Sequence, residues 1–361
     1  MAATAATAET ERIKAATAEV AALAATVGWL TLLPTLSCSP SELADQLEQR
    51  IAACQEVRAP RVRASACPFD EGTGPPSALA KKAAVFQFNT INLANPQWDS
   101  PADGNAALAD VVNTPNPINV TYNYYVSFDP MSLGYAMPPG LKFIPMIFGQ
   151  TGVAYGSEYS AGNLTAAQTT ANSPIGTGEL LTFNEPNLGS PQAQLTPAQA
   201  AALWPSIRAL GLRTGAPTMG WQINDPFPTW LADFVTAVGS ADFDFIPIDI
   251  YGENFNDPGG EVRKIMAFVD AIYATYGLPI WIKETALISF DSLPSQPNDT
   301  QVRAYMAEAI AAFRASPKIE RYFWYRVGPA RDATASGYYN IGLSFTNGTP
   351  SAIGEYFKKL W

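Results

Sequence analysis

Histidine is missing from all 361 residues, and that single absence removes most familiar hydrolytic chemistry. Ser-His-Asp and Cys-His catalysis, His-ligated zinc and imidazole acid/base work all need a ring this chain does not have. Proton transfer, if there is any, falls to carboxylates. Basic charge is also scarce. The chain has 22 Lys and Arg against 32 Asp and Glu, a net charge of -10, and no basic run that could track phosphates, so nucleic acid is not an expected partner. Only 15% of residues are charged, while tyrosine, tryptophan and asparagine are plentiful, which suits a neutral polymer better than a charged one. The three cysteines, Cys38, Cys54 and Cys67, fit one disulfide plus a free thiol or a fully reduced set. They have no metal-ligand spacing.

Apolar runs long enough to span a bilayer with confidence are absent too. Val20 to Leu33 has signal-peptide length, but Glu9, Glu11 and Glu19 precede it where positive charge is expected, so it reads as a structural helix, with a signal or anchor segment as the alternative. Residues 1–80 are rich in alanine and threonine and form an expected helical extension, with helices over Ala6 to Leu33 and Ser39 to Val57. Ser39-Pro40-Ser41-Glu42 carries start signals for the second helix, and Glu71 to Ser77 reads as a linker. These N-terminal helices are also where contact with a partner is expected.

From Lys81 onward short apolar runs alternate with helical stretches, and the runs number eight. They are Ala84 to Asn89, Val120 to Val126, Lys142 to Phe148, Leu180 to Glu185, Leu212 to Pro217, Asp244 to Gly252, Pro279 to Thr285 and Arg321 to Arg326. Helices are expected over Thr196 to Leu210, Pro228 to Val238, Glu261 to Tyr276 and Gln301 to Ala315. Eight strand-helix units predict an α/β fold, a (β/α)8 TIM barrel over residues 81–361.

Two of the runs end on a glutamate. Leu180-Leu181-Thr182-Phe183-Asn184-Glu185-Pro186 closes the fourth strand and Pro279-Ile280-Trp281-Ile282-Lys283-Glu284-Thr285 the seventh. The end of a buried parallel strand is poor company for an unpaired charge, and it is where such barrels place their chemistry. Two carboxylates there are what glycoside cleavage requires, one to protonate the departing oxygen and one to attack the anomeric carbon or activate water. That chemistry needs no cofactor.

From Lys81 to Trp361 the chain resembles the glycosyl hydrolase catalytic core, glycoside hydrolase family 128, within the clan of (β/α)8 retaining hydrolases. The resemblance is carried by Phe143-Ile144-Pro145-Met146, Leu181 to Pro186, Asp244 to Gly252, Ile280 to Glu284 and Arg321-Tyr322-Phe323-Trp324-Tyr325 in order. It implies endo-cleavage of β-1,3-glucan with retention of configuration. It also implies Glu185 as general acid/base, Glu284 as nucleophile and Asn184 on the sugar 2-hydroxyl. In a retaining enzyme the two carboxyls should lie about 5 to 5.5 Å apart.

The sixth strand departs from the family pattern. Where His-Trp-Tyr-Gly is common, this chain has Asp249-Ile250-Tyr251-Gly252. Asp249 removes a neutral donor and adds a third carboxylate near the other two, to be balanced by Arg326 or Lys283 or else bonded to backbone. Strand alternation is expected to point Lys283 away from the barrel axis. Tyr122, Tyr124, Trp221, Tyr251 and Trp324, near strand ends, are candidate sugar-stacking rings, with core packing the rival role for each.

The expected partner is therefore a neutral polysaccharide or oligosaccharide, and the expected location extracellular or at a cell wall. Asn119-Val120-Thr121, Asn163-Leu164-Thr165, Asn298-Asp299-Thr300 and Asn347-Gly348-Thr349 are glycosylation triplets that matter only in a secreted protein. The rival reading, favoured by Asp249 and Ile250, is a catalytically weak barrel that binds glycan or serves as a structural partner.

Overall fold

The structure is a computed structural model and describes residues 82–85, 98–129, 132–150, 157–189, 191–222, 229–239, 242–289, 296–328 and 341–360. The N-terminal helices, the linker and the three cysteines expected from the sequence lie outside these residues.

In chain order the described elements are β1 (Lys82–Val85), α1 (Pro101–Val112), β2 (Val120–Tyr122), β3 (Lys142–Ile144), β4 (Met146–Ile147), α2 (Ala161–Ala171), β5 (Glu179–Asn184) and α3 (Pro197–Arg208). They continue with β6 (Arg213–Gln222), α4 (Trp230–Val238), β7 (Ile246–Tyr251), α5 (Pro258–Tyr276), β8 (Ile280–Thr285), α6 (Asp299–Ala315), β9 (Ile319–Trp324) and α7 (Ala352–Lys359). All strand pairings are parallel, in the order β3-β2-β1-β9-β8-β7-β6-β5-β4. β3 and β4 are two halves of one run interrupted at Pro145, which has no N–H to give a ladder. The first half pairs with β2 and the second with β5, so this run closes the barrel and the nine segments make eight staves. The strand count expected from the sequence is the one observed, with the fifth stave extended to Gln222.

Local chemistry sets the helix ends. Thr196 and Asn298 each form a reciprocal capping box, with Gln199 and Gln301 respectively. Asp257 caps α5 through the Gly260 amide, and Gly277, with φ of 66°, ends it in the left-handed conformation that a residue without Cβ adopts freely. β5, β7 and β8 are buried along their whole length, as expected of strands covered by helices outside and packed side chains inside.

The N-terminal end of the barrel interior is sealed by charge. Arg213 bridges Glu179 at 2.7 Å and Glu320 at 2.6 Å, and Arg321 reaches Glu179 at 2.9 Å. Trp281 lies above this layer, stacked on Phe245 at 3.8 Å between centroids, with its Nε1 donating to Glu320. The floor is thus polar but paired, and the next layer is aromatic. The carboxylates occupy the opposite end.

Candidate active site

Glu284 is held from several staves. Tyr122 Oη donates to Oε1 at 2.8 Å, Tyr124 Oη to the same oxygen at 2.9 Å, and Lys283 Nζ to it at 3.0 Å. Tyr251 Oη donates to Oε2 at 2.5 Å. Four donors from the described residues thus converge on one buried carboxyl. Burial first, then the charge of Glu284, pushes the phenols of Tyr122, Tyr124 and Tyr251 well above their ordinary range. All three therefore stay protonated and keep donating.

Glu185 is arranged differently. Phe183 and Glu185 both take positive φ, 40° and 44°, which costs of order 1–3 kcal/mol each in residues with a side chain. The strain is held by the Asn184 amide bonded to Phe148 O at 2.7 Å and by the Ala193 amide bonded to Asn184 O at 2.9 Å. Glu185 is thereby turned over β6, where Gly220 leaves room: a Cβ on Gly220 would lie 2.5 Å from Glu185 Oε1. Asn187 clamps the Gly220 backbone on both sides, accepting from its N–H at 3.1 Å and donating to its carbonyl at 2.7 Å. The Glu185 side chain accepts no hydrogen bond from the described residues. Burial, followed by the charge of Glu284, pushes its carboxyl up to about 8, against the opposing pull of Lys283. Glu185 thus senses the charge of Glu284, and of the two carboxyls only Glu284 is held by donors from the described residues.

Lys283 points into the barrel, contrary to the expected alternation. Its Nζ contacts Asn184 Oδ1 at 2.6 Å, Asp249 Oδ2 at 2.8 Å and Glu284 Oε1 at 3.0 Å. The reason is an extra residue in β8. Ile248 pairs with Ile282 but Asp249 pairs with Glu284, and on the other side Tyr322 pairs with Ile282 while Trp324 pairs with Thr285. Such a bulge turns two consecutive side chains to one face. Lys283 follows Trp281 inward by ordinary alternation, and the slip brings Glu284 in beside it.

Asp249 is fully buried next to this cluster, with Lys283 on Oδ2 and no hydrogen-bond partner on Oδ1 among the described residues. Burial and the charge of Glu284 push its carboxyl well up, while Lys283 pulls the other way. Burial would strip the Lys283 proton, but the charges of Asp249 and Glu284 outweigh it and lift the ammonium above its ordinary range. Of the two cations expected to balance Asp249, Lys283 is the one in contact. The Arg326 guanidinium lies over the Tyr325 ring, 5.8 Å from its centroid.

The aromatic candidates divide. Tyr122, Tyr124 and Tyr251 reach the cluster, through their hydroxyls on Glu284. Trp221 and Trp324 do not. Trp221 stacks on Phe268 of α5, centroids 3.7 Å apart. Trp324 is buried beside Tyr305 of α6, and its Nε1 donates to Ile341 O at 2.8 Å. Its neighbour Tyr325, not singled out from the sequence, is half-buried with its ring edge-on to Tyr251, centroids 5.8 Å apart. Asn184 has its Oδ1 on Lys283 and its Nδ2 on Gln192 Oε1 at 2.9 Å. Gly220, Asn187 and Gln192 likewise carry no signal in one sequence, because each acts through a neighbour on another stave or loop.

Comparison with known proteins follows the same lines. A model of the glycosyl hydrolase catalytic core family matches residues 98–357. Alkali-sensitive linkage protein 1 of Schizosaccharomyces pombe is 26% identical over 213 residues, which make up 57% of this chain and 38% of that protein. The chain thus matches well under half the length of that curated relative. Among solved structures, a subgroup I family 128 endo-β-1,3-glucanase from Amycolatopsis mediterranei in complex with laminaritriose is 28% identical. It covers 78% of this chain and 100% of its own, with a TM-score of 0.59. A subgroup III curdlan-specific exo-β-1,3-glucanase from Blastomyces gilchristii, 21% identical, shares the fold over 78% of this chain and 98% of its own, with a TM-score of 0.53.

Proposed function

The chain belongs to the glycosyl hydrolase catalytic core family and is a glycoside hydrolase, and from that premise we propose that it cleaves β-1,3-glucan internally with retention of configuration. The observation that carries this reading is the contrast between the two carboxyls. Glu284 receives four donors, whereas Glu185 receives none from the described residues and is pushed up to about 8.

In the first step Glu185 gives its proton to the departing glycosidic oxygen as a Glu284 oxygen bonds the anomeric carbon and the C–O bond breaks. In the second, water attacks that carbon, Glu185 takes the water proton, and Glu284 leaves as carboxylate. Oε1 already accepts from Tyr122, Tyr124 and Lys283, while among the described residues Oε2 accepts from Tyr251 alone. Oε2 therefore keeps a lone pair for attack. Asn184 Nδ2 is the donor left for the sugar 2-hydroxyl, since Oδ1 is taken by Lys283.

The β-1,3 linkage and the endo mode rest on likeness to the Amycolatopsis mediterranei glucanase, crystallised with laminaritriose. A neutral glucan of this kind puts the working site at a cell wall or storage polymer. The test is reducing-sugar release from β-1,3-, β-1,4- and mixed-linkage glucans by wild type, Glu185→Ala and Glu284→Gln, with anomer analysis of the first product by NMR. Release from the β-1,3 glucan alone, as the β-anomer, lost in both variants, is expected. Hydrolysis that survives Glu284→Gln, or an α-anomer, would overturn the assignment. Binding of a glucan without release would favour the glycan-binding barrel, for which the buried Asp249 at the cluster is the observation in favour.

A further inference from the structure

Among the described residues the cluster contains three carboxyls, Glu185, Asp249 and Glu284, and one cation, Lys283, on neighbouring staves. Lys283 is fully buried. An ammonium has three hydrogens and no acceptor, and this one has three acceptors within 3.0 Å, on three different residues: Asn184 Oδ1, Asp249 Oδ2 and Glu284 Oε1. All of its donor capacity is used inside the site, with none left to meet a substrate. The Tyr122 and Tyr124 rings pack on it as well, with Nζ 5.2 and 5.7 Å from their centroids.

We propose that Lys283 is a positioning residue for the reaction and Asp249 its counter-group. The ammonium fixes Glu284 and the Asn184 amide, and Asp249 keeps it in the site while Glu284 is an uncharged ester. The proposal rests on the double-displacement reading above. Its geometric basis is the tripod. With Oδ1 of Asn184 tied to Lys283, the amide cannot flip, and Nδ2 is presented with one hydrogen on Gln192 and one free. With Oε1 of Glu284 tied, the carboxylate plane is set and Oε2, which accepts from Tyr251, is the oxygen with a lone pair left for attack.

The charge argument runs in parallel. A dry site tolerates a cation only with a partner. Glu284 stops being one once it bonds the sugar, and Asp249, 2.8 Å away, is the carboxyl that remains in contact. Asp249 without Lys283 would place a second carboxyl against Glu284 with nothing between them. The two residues are therefore useful only together.

The experiment uses the full chain as Lys283→Met, Asp249→Asn and the double variant, with Glu284→Ala and Glu185→Ala beside them. The readouts are kcat and KM on a soluble β-1,3-glucan across pH, with melting temperature. Among the described residues, the titratable and charged groups facing Lys283 are Asp249 from β7, Glu284 from β8, Glu185 from the end of β5, and Tyr122 and Tyr124 from β2 and the chain after it, while Tyr251 faces Glu284. Removing the cation takes one donor from Glu284 Oε1 and leaves that carboxyl facing Asp249. The acidic limb of Lys283→Met should move up by about one pH unit or more and its kcat fall by about a hundredfold, with KM within about threefold.

In the double variant the limb should return towards wild type and kcat recover by about tenfold over Lys283→Met. An unmoved limb in Lys283→Met, or a double variant no better than the single, would overturn the pairing. If Lys283→Met does not fold, the double variant, which leaves no charge facing an empty partner, decides alone. A kcat at least tenfold below wild type with KM retained supports the tripod, and a wild-type kcat overturns it. Full activity in Glu284→Ala would instead sink the double-displacement reading. Loss there, with Lys283→Met unaffected, sinks only the present proposal.

Discussion

Glu185 occupies the space that a side chain on Gly220 would fill, with Oε1 2.5 Å from where that Cβ would be. The two residues are on adjacent staves, and the absence of an atom on one defines the position of the acid on the other. Gly220 has no positive φ, so alanine fits the backbone there, and the atom it meets is the far end of a movable side chain. Gly220→Ala should therefore fold with a melting temperature within a few degrees of wild type. Displacing the acid by about 1 Å is expected to cost about a hundredfold in kcat. Parallel measurement of kcat and thermal melting checks this, and a variant with full activity would show that Glu185 works from another position.

In the proposed mechanism protonated Glu185 releases the leaving group, and its carboxyl is pushed up to about 8. Activity should thus hold on the acid side of that value and fall as pH rises through it, giving kcat/KM a basic limb near 8. The same shift has a stability consequence. The folded state holds this proton to about 8 whereas the unfolded chain, with an ordinary carboxyl near 4.5, releases it earlier. The contribution is fully present below the unfolded value and is lost as pH rises through the folded one. Glu185→Gln carries no such proton. Its melting temperature should exceed that of wild type at pH 7 and approach it at pH 4, which a melting series across pH would read directly.

Among the described residues Tyr251 is the hydrogen-bond donor on Glu284 Oε2, through its hydroxyl. Tyr251→Phe keeps the ring and removes the donor. If the residue acts on the carboxylate, kcat should drop about ten- to a hundredfold with KM little changed. If it serves instead as a stacking surface for sugar, the phenylalanine variant should turn over at nearly the wild-type rate. Tyr122→Phe and Tyr124→Phe should each cost less, because Oε1 retains two other donors.

Trp324 and Tyr325 are neighbours with opposite surroundings. Trp324 is packed and bonded to Ile341 O, so Trp324→Ala should cost about 3–5 kcal/mol of stability while the folded fraction keeps its KM. Tyr325 is half-buried beside Tyr251, and Tyr325→Ala should raise KM several-fold with a small change in melting temperature. Denaturant unfolding and steady-state kinetics on both variants separate the two roles.

The fold was legible because its signal is local. Eight short apolar runs, spaced by amphipathic helices with Thr196, Asp257 and Asn298 at their starts, need no long-range information to be counted. Glu185 and Glu284 stood out for the same reason, as charges that end apolar strands, and the structure brings them together at the C-terminal ends of β5 and β8. Lys283 was misread by the rule that works elsewhere. Alternation with period two gives one inward residue of each pair, and here the slip between Ile282 and Thr285 makes two consecutive residues face inward.

What the sequence alone determined, then, is the set of staves, their order and the carboxylates at their ends, since backbone periodicity and capping depend on residues only a few positions apart. The tertiary structure decided which neighbours face the axis, that Trp324 is core and Tyr325 is not, that Gly220 leaves room for Glu185, and that Lys283 joins Asn184, Asp249 and Glu284. Each depends on how one strand is registered against the strands beside it. That registration is a balance of packing and hydrogen bonding between residues separated by tens of positions or more, and no pattern within a single strand contains it.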